Sequence, residues 1–360
     1  MESREHLSLP ALRESINSAL ANFIEADNHY LTSIGPELVP VAEALKAFLL
    51  DSGKRFRPLF ATVGYLGTGA ELTPAHFSAL SSVELIHVCA LIHDDVMDAS
   101  DTRRGAPAIH KLFEGLHNKS GFSGSGAQFG IASAILLGDL ALIWAAKMLH
   151  ESKIPSDQII SALPIFDEMQ VELMAGQYLD IHEQALASES VERSLRVARY
   201  KSGKYSIERP LHFGAAIAHK DPSQYFEIYS AYGLPLGEAF QLRDDLLGVF
   251  GDAAQTGKPA GDDLREGKRT VMMAMTHDRA DSAQRATIKE LFGKADLSLA
   301  EVETLRAIIV DTDAQAAVEE LITSLTDEAC AAIDNPLISG TAQELLHQMA
   351  GCRWRHRPHR

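Results

Sequence analysis

Apolar residues recur at the spacing of α-helices through almost the whole chain, and almost no segment alternates in the way of a β-strand. A chain with this pattern buries its apolar faces by packing helix on helix, so we predict an all-α fold. Prolines 164 and 235 lie inside apolar runs, where a proline should kink or break the helix. The periodicity predicts helices over residues 11–33, 37–51, 55–67, 75–98, 128–150, 157–187, 190–219, 223–250, 263–278, 282–293, 299–309, 314–334 and 340–351.

No composition shift marks a domain boundary, so we predict a single domain over residues 1–360. Ser and Gly alternate near residues 118–126, which predicts a flexible loop between two core helices. The basic tail at residues 353–360 is expected to be disordered, and a flap over a bound diphosphate is the less favoured interpretation.

Two aspartate clusters follow apolar helical runs, at residues 94–98 (Asp-Asp-Val-Met-Asp) and 244–248 (Asp-Asp-Leu-Leu-Gly). Asp94 and Asp98 are four residues apart, so their carboxylates share one helix face, about 5–6 Å apart at Cβ. Like charges in this arrangement destabilise a helix unless cations lie between them. Oxygen ligands suit Mg²⁺, which binds a few carboxylates together with substrate phosphates and water. A single acidic helix end is often only solvated surface, but two such clusters favour a site for a phosphorylated substrate.

Basic residues surround both clusters. The first cluster lies between Gly53–Pro58 and Asp101–Gly105, and the second is followed by Lys258 and Lys268. Another cationic stretch, Lys201–Lys204, lies between the clusters. Arginine forks match phosphate oxygens, and lysine acts as a mobile point charge. Each of these side chains alone would more often be a solubilising charge, but their placement beside acidic helices suits a diphosphate.

Residues 91–98 (LIHDDVMD) with Arg103–Gly105, and residues 241–248 (QLRDDLLG) with Asp252, resemble the two aspartate-rich motifs of the trans-isoprenyl diphosphate synthases. The resemblance runs from about residue 45 to about residue 275. It implies a helical bundle around a central cavity, Mg²⁺-dependent prenyltransferase activity and a homodimer. Further signatures of the family fall at Gly53–Pro58, Glu84–His87, Gly138–Asp139, Gly176–Asp180 and Gly267–Lys268.

The resemblance also implies roles for individual residues. In that family an allylic diphosphate ionises to a carbocation, which isopentenyl diphosphate then attacks. The metal role falls to Asp94, Asp95, Asp98, Asp244 and Asp245. Contacts with the allylic diphosphate fall to Arg103, Lys201, Lys258 and Lys268, and contacts with isopentenyl diphosphate fall to Lys54, Arg57, His87 and Arg104. Ser202 and Gln241 would lie near the cation, as oxygen dipoles that cannot trap it.

Two positions depart from the family pattern. Gly248 stands where the second motif usually ends in Asp, so we do not count it as a ligand. Ser202 stands where the family usually has Thr, which keeps the hydroxyl and loses the β-branched rigidity.

The length of the product depends on the residues that precede Asp94. In the family, bulky aromatic residues four and five positions earlier stop elongation, and here those positions hold the small residues Ala90 and Cys89. The floor would then lie deeper, at Ile86 or on a facing helix, and geranylgeranyl diphosphate is the predicted product. Products of twenty-five carbons or more, or farnesyl diphosphate, are the alternatives. Simple packing of Cys89 and Ala90 against a neighbouring helix is the structural alternative.

Composition limits the binding partners and the cellular location that we expect for the protein. The net charge of −16 disfavours nucleic acid and anionic membrane surfaces, because both are polyanions. The three cysteines lack metal or disulfide spacing and suit a reducing cytoplasm. Phe129–Leu149 approaches the length of a membrane span, but Asp139 near its middle would be costly in lipid, so we expect a buried core helix and no transmembrane segment.

Three other protein classes fit these residues less well than a synthase. A terpene cyclase shares the first acidic motif but needs only one diphosphate site, whereas Lys54–Arg57 and the second Asp pair favour two substrates. An inactive partner subunit would not need ligand sets in both motifs. A structural helical-repeat protein would give no reason for this placement of charge.

Overall fold

The structure is a computed structural model that describes residues 7–51, 53–219, 221–251 and 261–354, with side chains as far as residue 351. The first half contains α1 (Leu9–Ile34), a 3₁₀ turn (Pro36–Leu38), α2 (Val39–Leu50), α3 (Phe56–Gly67), α4 (Pro74–Met97), β1 (Thr102–Arg103), β2 (Ala106–Pro107), α5 (Ile109–Ser120), α6 (Gly126–His150) and α7 (Ser156–Ala185). The rest contains α8 (Val191–Val197), a π-helix (Ala198–Glu208), α9 (Arg209–Ala218), α10 (Ser223–Phe250), α11 (Asp262–Glu266), α12 (Val271–Arg279), α13 (Ser282–Leu291), α14 (Leu299–Asp311), α15 (Ala314–Ile333) and α16 (Gly340–Trp354).

The all-α prediction is confirmed, and most predicted helices lie within a few residues of the observed ones. Helix α5 was missed, because its polar and glycine-containing sequence gives only a narrow apolar face. The predicted loop near 118–126 is reduced to residues 121–125 between α5 and α6. Of the predicted kink or break at the two prolines, the break was wrong, since α7 continues through Pro164 and α10 through Pro235, and the kink stays a prediction.

Contacts divide the chain into two compact units. The first comprises Met1–Phe166, Pro210–Phe226 and Pro336–Met349, and the second comprises Asp167–Arg209, Glu227–Asn335 and Ala350–Arg360. The single domain over residues 1–360 therefore stays a prediction, as does disorder of the tail, because residues 355–360 lie outside the described part of the chain.

Helix α4 is the central helix of the first unit. It packs against α1, α3 and α6, and its Leu80, Ile86 and Ile92 side chains are fully buried. In that unit α6 also packs closely on α5. Glycine at position 130 permits this approach, because a Cβ there would overlap the His110 carbonyl. The result is a rigid support for the C-terminal end of α4, where the first aspartate cluster lies.

The second unit has a core of its own. Apolar side chains from α10 to α15, such as Leu242, Val271 and Ile309, form one buried cluster. This cluster fixes the end of α10, which carries the second aspartate cluster, against the short helix α11, whose Leu264 is fully buried.

Two helices, α4 and α6, are long and apolar enough to cross a membrane when judged by length and composition. The most apolar stretch of each is 67% and 39% buried, respectively. Core helices of soluble proteins pass the same test, so this is weak evidence for a membrane.

Candidate active site

The first aspartate cluster forms the last turn of α4. Asp98 caps the helix and donates its backbone N–H to the Asp94 carbonyl at 2.8 Å, so the two carboxylates lie one turn apart, as predicted. Asp95 points into the protein, where its side chain is 1% exposed. The Asp94 and Asp98 side chains are half-buried and remain accessible from solvent.

Arg103 neutralises Asp95. Its Nε lies 2.8 Å from each Asp95 oxygen and its Nη2 lies 2.6 Å from Oδ1, while Asp94 Oδ2 is 3.7 Å away. Burial alone would lower the pKa of Arg103, but the hydrogen bond and charge of Asp95 outweigh it and raise that pKa. Arg103 therefore stays charged and orders the base of the motif, and its predicted contact with the allylic diphosphate stays a prediction.

A two-residue hairpin sets the directions of Arg103 and Arg104. Strand β1 pairs with β2 in antiparallel register, and the turn residues Arg104 and Gly105 both have positive φ, at 54° and 79°. Positive φ at both central residues is what the type I′ turn of a two-residue hairpin requires. Arg103 then reaches Asp95, while Arg104 donates from Nη1 to the Asp51 carbonyl at 3.1 Å.

Arginines gather around His87 in the first unit. Burial lowers the pKa of His87 well below its ordinary value, and the charges of Arg57, Arg104, Arg103 and Arg55 lower it further. The imidazole is therefore neutral, and of the four arginines that act on it Arg55 is paired with Glu84 and Arg103 with Asp95. Three of the predicted residues for isopentenyl diphosphate, Arg57, His87 and Arg104, are thus brought together.

The fourth predicted residue, Lys54, is exposed, and its role in this group stays a prediction. The sequence analysis did not assign its neighbour, Arg55, to the site. Arg55 has a positive φ of 54° and donates from Nη1 to Glu84 Oε1 at 2.8 Å, with both side chains almost fully buried. The signal in the sequence was Glu84 itself, an acidic residue inside an otherwise apolar helix. This ion pair fixes the loop that carries Lys54, and the start of α3 that carries Arg57, to the middle of α4.

The second aspartate cluster differs in its surroundings. Asp245 is buried and accepts a hydrogen bond of 2.6 Å from the Gln241 amide, whereas Asp244 is half-buried. Burial, together with the charges of Asp263 and Asp244, raises the pKa of Asp245 to about 8. Gln241 was predicted to lie near the cation; in the second unit it orients Asp245.

Lys268 lies beside this cluster and contacts acidic side chains of α11. Its Nζ is 2.8 Å from Glu266 Oε2 and 3.5 Å from Asp263 Oδ1. Gly267, with a positive φ of 68°, ends α11 and turns the chain toward Lys268. The other predicted lysine, Lys258, lies outside the described residues, as does Asp252.

Lys201 and Ser202 lie in the π-helix, which sequence periodicity did not predict. Glycines make room for its wide turns, because a Cβ at Gly176 would overlap the Lys201 backbone and a Cβ at Gly237 would lie 2.5 Å from Gly203 Cα. Lys201 Nζ pairs with Asp180 Oδ2 at 2.6 Å, and Ser202 is half-buried. π-Helices often mark functional sites, and this one carries both predicted residues.

The three residues predicted to control chain length differ in exposure. Ile86 and Cys89 are fully buried, and Ala90 is half-buried. Cys89 Sγ lies 3.7 Å from His93 Nδ1, and His93 Nε2 lies 3.0 Å from the Ile135 carbonyl of α6. Burial, with the charge of Asp139, raises the pKa of the Cys89 thiol to about 12, so this thiol is an inert packing group.

The carboxylates suit a hard divalent cation. In the described residues no group of three or more His, Cys, Asp and Glu side chains could hold a metal ion. Pairs of oxygen ligands such as Asp94 and Asp98 are nevertheless what Mg²⁺ uses, since phosphates and water complete its coordination. The donor set therefore fits the cation that the resemblance implies.

Known proteins resemble the chain over most of its length. The sequence model of the polyprenyl synthetase family matches residues 40–309. A crystal structure of geranylgeranyl pyrophosphate synthase from Corynebacterium glutamicum, complexed with isoprenyl diphosphate and magnesium, has 38% sequence identity and a TM-score of 0.93. That similarity covers 98% of this chain and 100% of the other.

Two curated relatives extend the comparison. Geranylfarnesyl diphosphate synthase of Aeropyrum pernix is 31% identical over 82% of this chain and 87% of its own length. Geranylgeranyl diphosphate synthase of Sulfolobus acidocaldarius is 28% identical over 82% of this chain and 81% of its own. With the fold and the two aspartate motifs, these similarities show that the chain is a prenyltransferase of the polyprenyl synthetase family, the trans-isoprenyl diphosphate synthases.

Proposed function

We propose that the protein condenses isopentenyl diphosphate with an allylic diphosphate to make a trans-polyprenyl diphosphate. The observation that carries this proposal is the arginine group around neutral His87, in the same unit as the carboxylates of Asp94 and Asp98. A single metal-dependent diphosphate site would not need this second, cationic group. Two ways of binding a diphosphate, through metal and through guanidinium groups, fit a reaction with two substrates.

The cationic group would hold isopentenyl diphosphate. Arg57 and Arg104 offer forked donors that match phosphate oxygens, and Lys54 adds an exposed ammonium. His87 is kept neutral, so it can donate one hydrogen bond without adding charge. Arg55 stays with Glu84 and shapes the loop rather than the ligand site.

The carboxylates would hold Mg²⁺ at the allylic diphosphate. Bound Mg²⁺ would neutralise the charge of the leaving diphosphate and so favour ionisation of the allylic C–O bond. Asp94, Asp98 and Asp244 are the accessible carboxylates for this role, while Asp95 and Asp245 are buried at the base of each motif. The lysines and arginine proposed to bind the same diphosphate are Arg103, Lys201, Lys258 and Lys268.

The protein's own residues then protect and direct the cation. Ser202 and Gln241 present oxygen atoms whose dipoles stabilise positive charge, and neither is a strong nucleophile. After the diphosphate has left with the electron pair of the C–O bond, the double bond of isopentenyl diphosphate attacks the allylic cation, and loss of a proton restores a double bond. The product is one five-carbon unit longer than the allylic substrate.

Geranylgeranyl diphosphate is the proposed product. Small side chains at Cys89 and Ala90 give no aromatic floor near the first motif. The names of the Corynebacterium and Sulfolobus relatives support this length, while the Aeropyrum relative is a geranylfarnesyl diphosphate synthase. A longer product is therefore the second candidate.

Product analysis tests the function. Purified protein is incubated with Mg²⁺ and labelled isopentenyl diphosphate, with geranyl or farnesyl diphosphate as primer or without primer, and products are separated by chromatography. Labelled geranylgeranyl diphosphate that requires both primer and Mg²⁺ is the expected result. Conversion of the primer to a hydrocarbon without incorporation of label would indicate a cyclase, and no reaction with any primer would indicate an inactive subunit.

We also propose that the protein is a homodimer that associates through α6. Phe129, Leu136 and Ile143 recur every seven residues on that helix and are 37%, 67% and 63% exposed. An apolar stripe of this kind on a protein surface marks an interface, and a repeat of seven suits pairing of helices. The cytoplasmic location stays a prediction, consistent with the free thiols of Cys89 and Cys330.

Sedimentation tests the dimer. A Leu136→Glu, Ile143→Glu double variant should sediment as a monomer, because it buries charge in the proposed interface. Leu299→Glu is the matched control, since Leu299 is 72% exposed but lies on α14. A wild-type monomer, or a double variant that stays dimeric, would contradict the proposed interface.

A further inference from the structure

His76 lies in the first turn of α4, where α3 and the start of α7 meet that helix in the first unit. The residue is buried, with 8% of its surface exposed. Its ring packs against Tyr65 of α3 at 4.7 Å between centroids, and its Nε2 lies 3.2 Å from Oε1 of Gln158 on α7. Its Nδ1 faces Thr73, the residue that precedes α4. These four residues form one polar group, the His76 cluster, that joins three helices.

The neighbours of the ring determine which nitrogen carries the proton. The Tyr65 hydroxyl donates its hydrogen to the Glu71 carbonyl at 3.1 Å, so it accepts from His76 Nε2, which is also 3.1 Å away. The Gln158 oxygen at the same nitrogen is an acceptor too. The Thr73 backbone N–H, in contrast, donates to Nδ1 at 3.2 Å. His76 is therefore a neutral imidazole that donates from Nε2 and accepts at Nδ1.

A second proton on this ring would disrupt the cluster. It would bind at Nδ1, where the Thr73 backbone N–H already donates, and a backbone N–H cannot become an acceptor. The Thr73 hydroxyl, 2.8 Å from Nδ1, can turn to accept the new proton, but the backbone hydrogen bond is still lost. Burial lowers the pKa of His76 below its ordinary value of 6.5, and the hydrogen bond to Gln158 offsets this only in part.

The charged groups around the cluster do not compensate for a protonated ring. Within the part of the chain that the structure describes, His76 forms no ion pair with a carboxylate. The titratable side chains nearest to the ring are Tyr65 of α3 and Glu71 of the loop before α4, and Glu71 is exposed. Burial and the charge of Glu71 raise the pKa of Tyr65, so this hydroxyl keeps its hydrogen. Gln158 on α7 and Thr73 do not titrate.

We propose that His76 is a pH-sensitive switch that joins α3 and α7 to the start of α4 when it is neutral and releases them when it is protonated. The inference does not rest on the proposed function, because no substrate takes part in it. The folded-state pKa of His76 lies below the value of 6.5 expected for the unfolded chain, so the unfolded chain binds the proton more readily. The cluster consequently contributes its full stability above 6.5 and loses it as the pH falls through the folded-state pKa.

Nuclear magnetic resonance of the full-length protein with ¹⁵N-labelled histidine rings tests the protonation state. The His76 signal, assigned by its loss in His76→Gln, should show the Nε2–H tautomer at about pH 7.5 and should titrate below 6.5. Gln158→Glu places a carboxylate beside Nε2 and should raise the pKa of His76. An Nδ1–H tautomer, or titration of His76 at or above 6.5 in the wild type, would overturn the proposal.

Hydrogen exchange tests whether protonation releases the start of α4. Between about pH 7.5 and about pH 5, the amides of residues 75–80 should lose protection at least about threefold more than those of α6, after correction for intrinsic exchange. His76→Gln keeps a donor toward Tyr65 and Gln158 but cannot be protonated, so this relative loss should disappear. His29→Gln, at an exposed position on α1, is the matched control and should behave as the wild type does.

Two outcomes of the exchange experiment would contradict the switch. The first is a relative loss of protection that is equal in the wild type and in His76→Gln, because another group would then cause the acid effect. The second is a wild type whose residues 75–80 keep their relative protection at about pH 5. Gln158→Glu, which retains His76, gives an independent readout: it should lose less protection than the wild type, and a greater loss would also count against the proposal.

Discussion

The two aspartate motifs differ in how their buried carboxylate is balanced. Asp95 of the first motif is held by the Arg103 guanidinium through both of its oxygens. Asp245 of the second has a neutral partner, Gln241, and feels the negative charges of Asp263 and Asp244. The base of the first motif is therefore neutralised by a protein cation, whereas at the base of the second motif the raised pKa keeps the Asp245 carboxyl largely protonated near neutral pH.

The difference teaches that similar aspartate motifs can depend on metal to different degrees. In the first motif, a protein cation orders the base and leaves Asp94 and Asp98 for the ligand. In the second motif, Lys268 lowers the pKa of Asp245, but burial and the charges of Asp263 and Asp244 outweigh it, and a bound cation would relieve the remaining repulsion. We expect the second motif to be the one whose local order depends more strongly on metal.

The largest effect should come from removing one accessible carboxylate of either motif. Asp94→Ala and Asp244→Ala should each lower kcat by about a hundredfold to a thousandfold, because stabilisation of the leaving diphosphate is lost. Steady-state kinetics at saturating substrates measures this effect, and circular dichroism should show nearly unchanged helix content. Asp157→Ala, at an exposed position in the first turn of α7, is the control. Near-normal turnover in either motif variant would remove that motif from the metal site.

A smaller effect separates the bases of the two motifs. Arg103→Ala leaves Asp95 buried without its ion-pair partner and should lower the free energy of unfolding by about 3 kcal/mol. Gln241→Ala removes only one hydrogen bond to Asp245 and should cost about 1 kcal/mol. Urea unfolding in EDTA compares the two variants. Adding Asp95→Asn to Arg103→Ala should recover part of the lost free energy of unfolding. An equal loss in Arg103→Ala and Gln241→Ala would contradict the proposed difference between the two buried carboxylates.

The smallest change concerns product length. Ala90→Phe should shorten the main product by at least one five-carbon unit, because Ala90 is only half-buried on the helix of the first motif. Cys89→Phe should mainly destabilise the protein, by about 1–3 kcal/mol, since Cys89 is fully buried beside His93. Chromatography of labelled products, with Ala90→Ser as control, measures the length. An unchanged product from a folded, active Ala90→Phe enzyme would show that the tail does not pass this residue.

Much of the fold and of the first motif could be predicted from sequence, because both depend on local periodicity. Helix spacing placed Asp94 and Asp98 on one face, and the apolar runs located most helices. The hairpin at Arg104-Gly105 also had a local signal, a glycine at a turn position, which periodicity alone does not weigh.

The features that were missed depend on contacts distant in sequence. Gly176 and Gly237 allow other helices to approach the backbone of the π-helix, and neither lies near it in the chain. Arg55 belongs with Glu84, which is 29 residues away. The Asp263 carboxylate lies where a Cβ at Gly248 would be, and the next residue, Leu264, is buried in the core of the second unit. The spacing of residues in the sequence gives no information about such contacts.

The most direct test of the account is whether both motifs act on the same allylic diphosphate through metal. Isothermal titration with an unreactive thiolodiphosphate analogue of the allylic substrate measures this, with Mg²⁺ or with EDTA. The account predicts that wild-type binding requires Mg²⁺ and that Asp94→Asn and Asp244→Asn each weaken it at least about tenfold. Binding that is independent of Mg²⁺, or an Asp244→Asn variant with wild-type affinity, would contradict it.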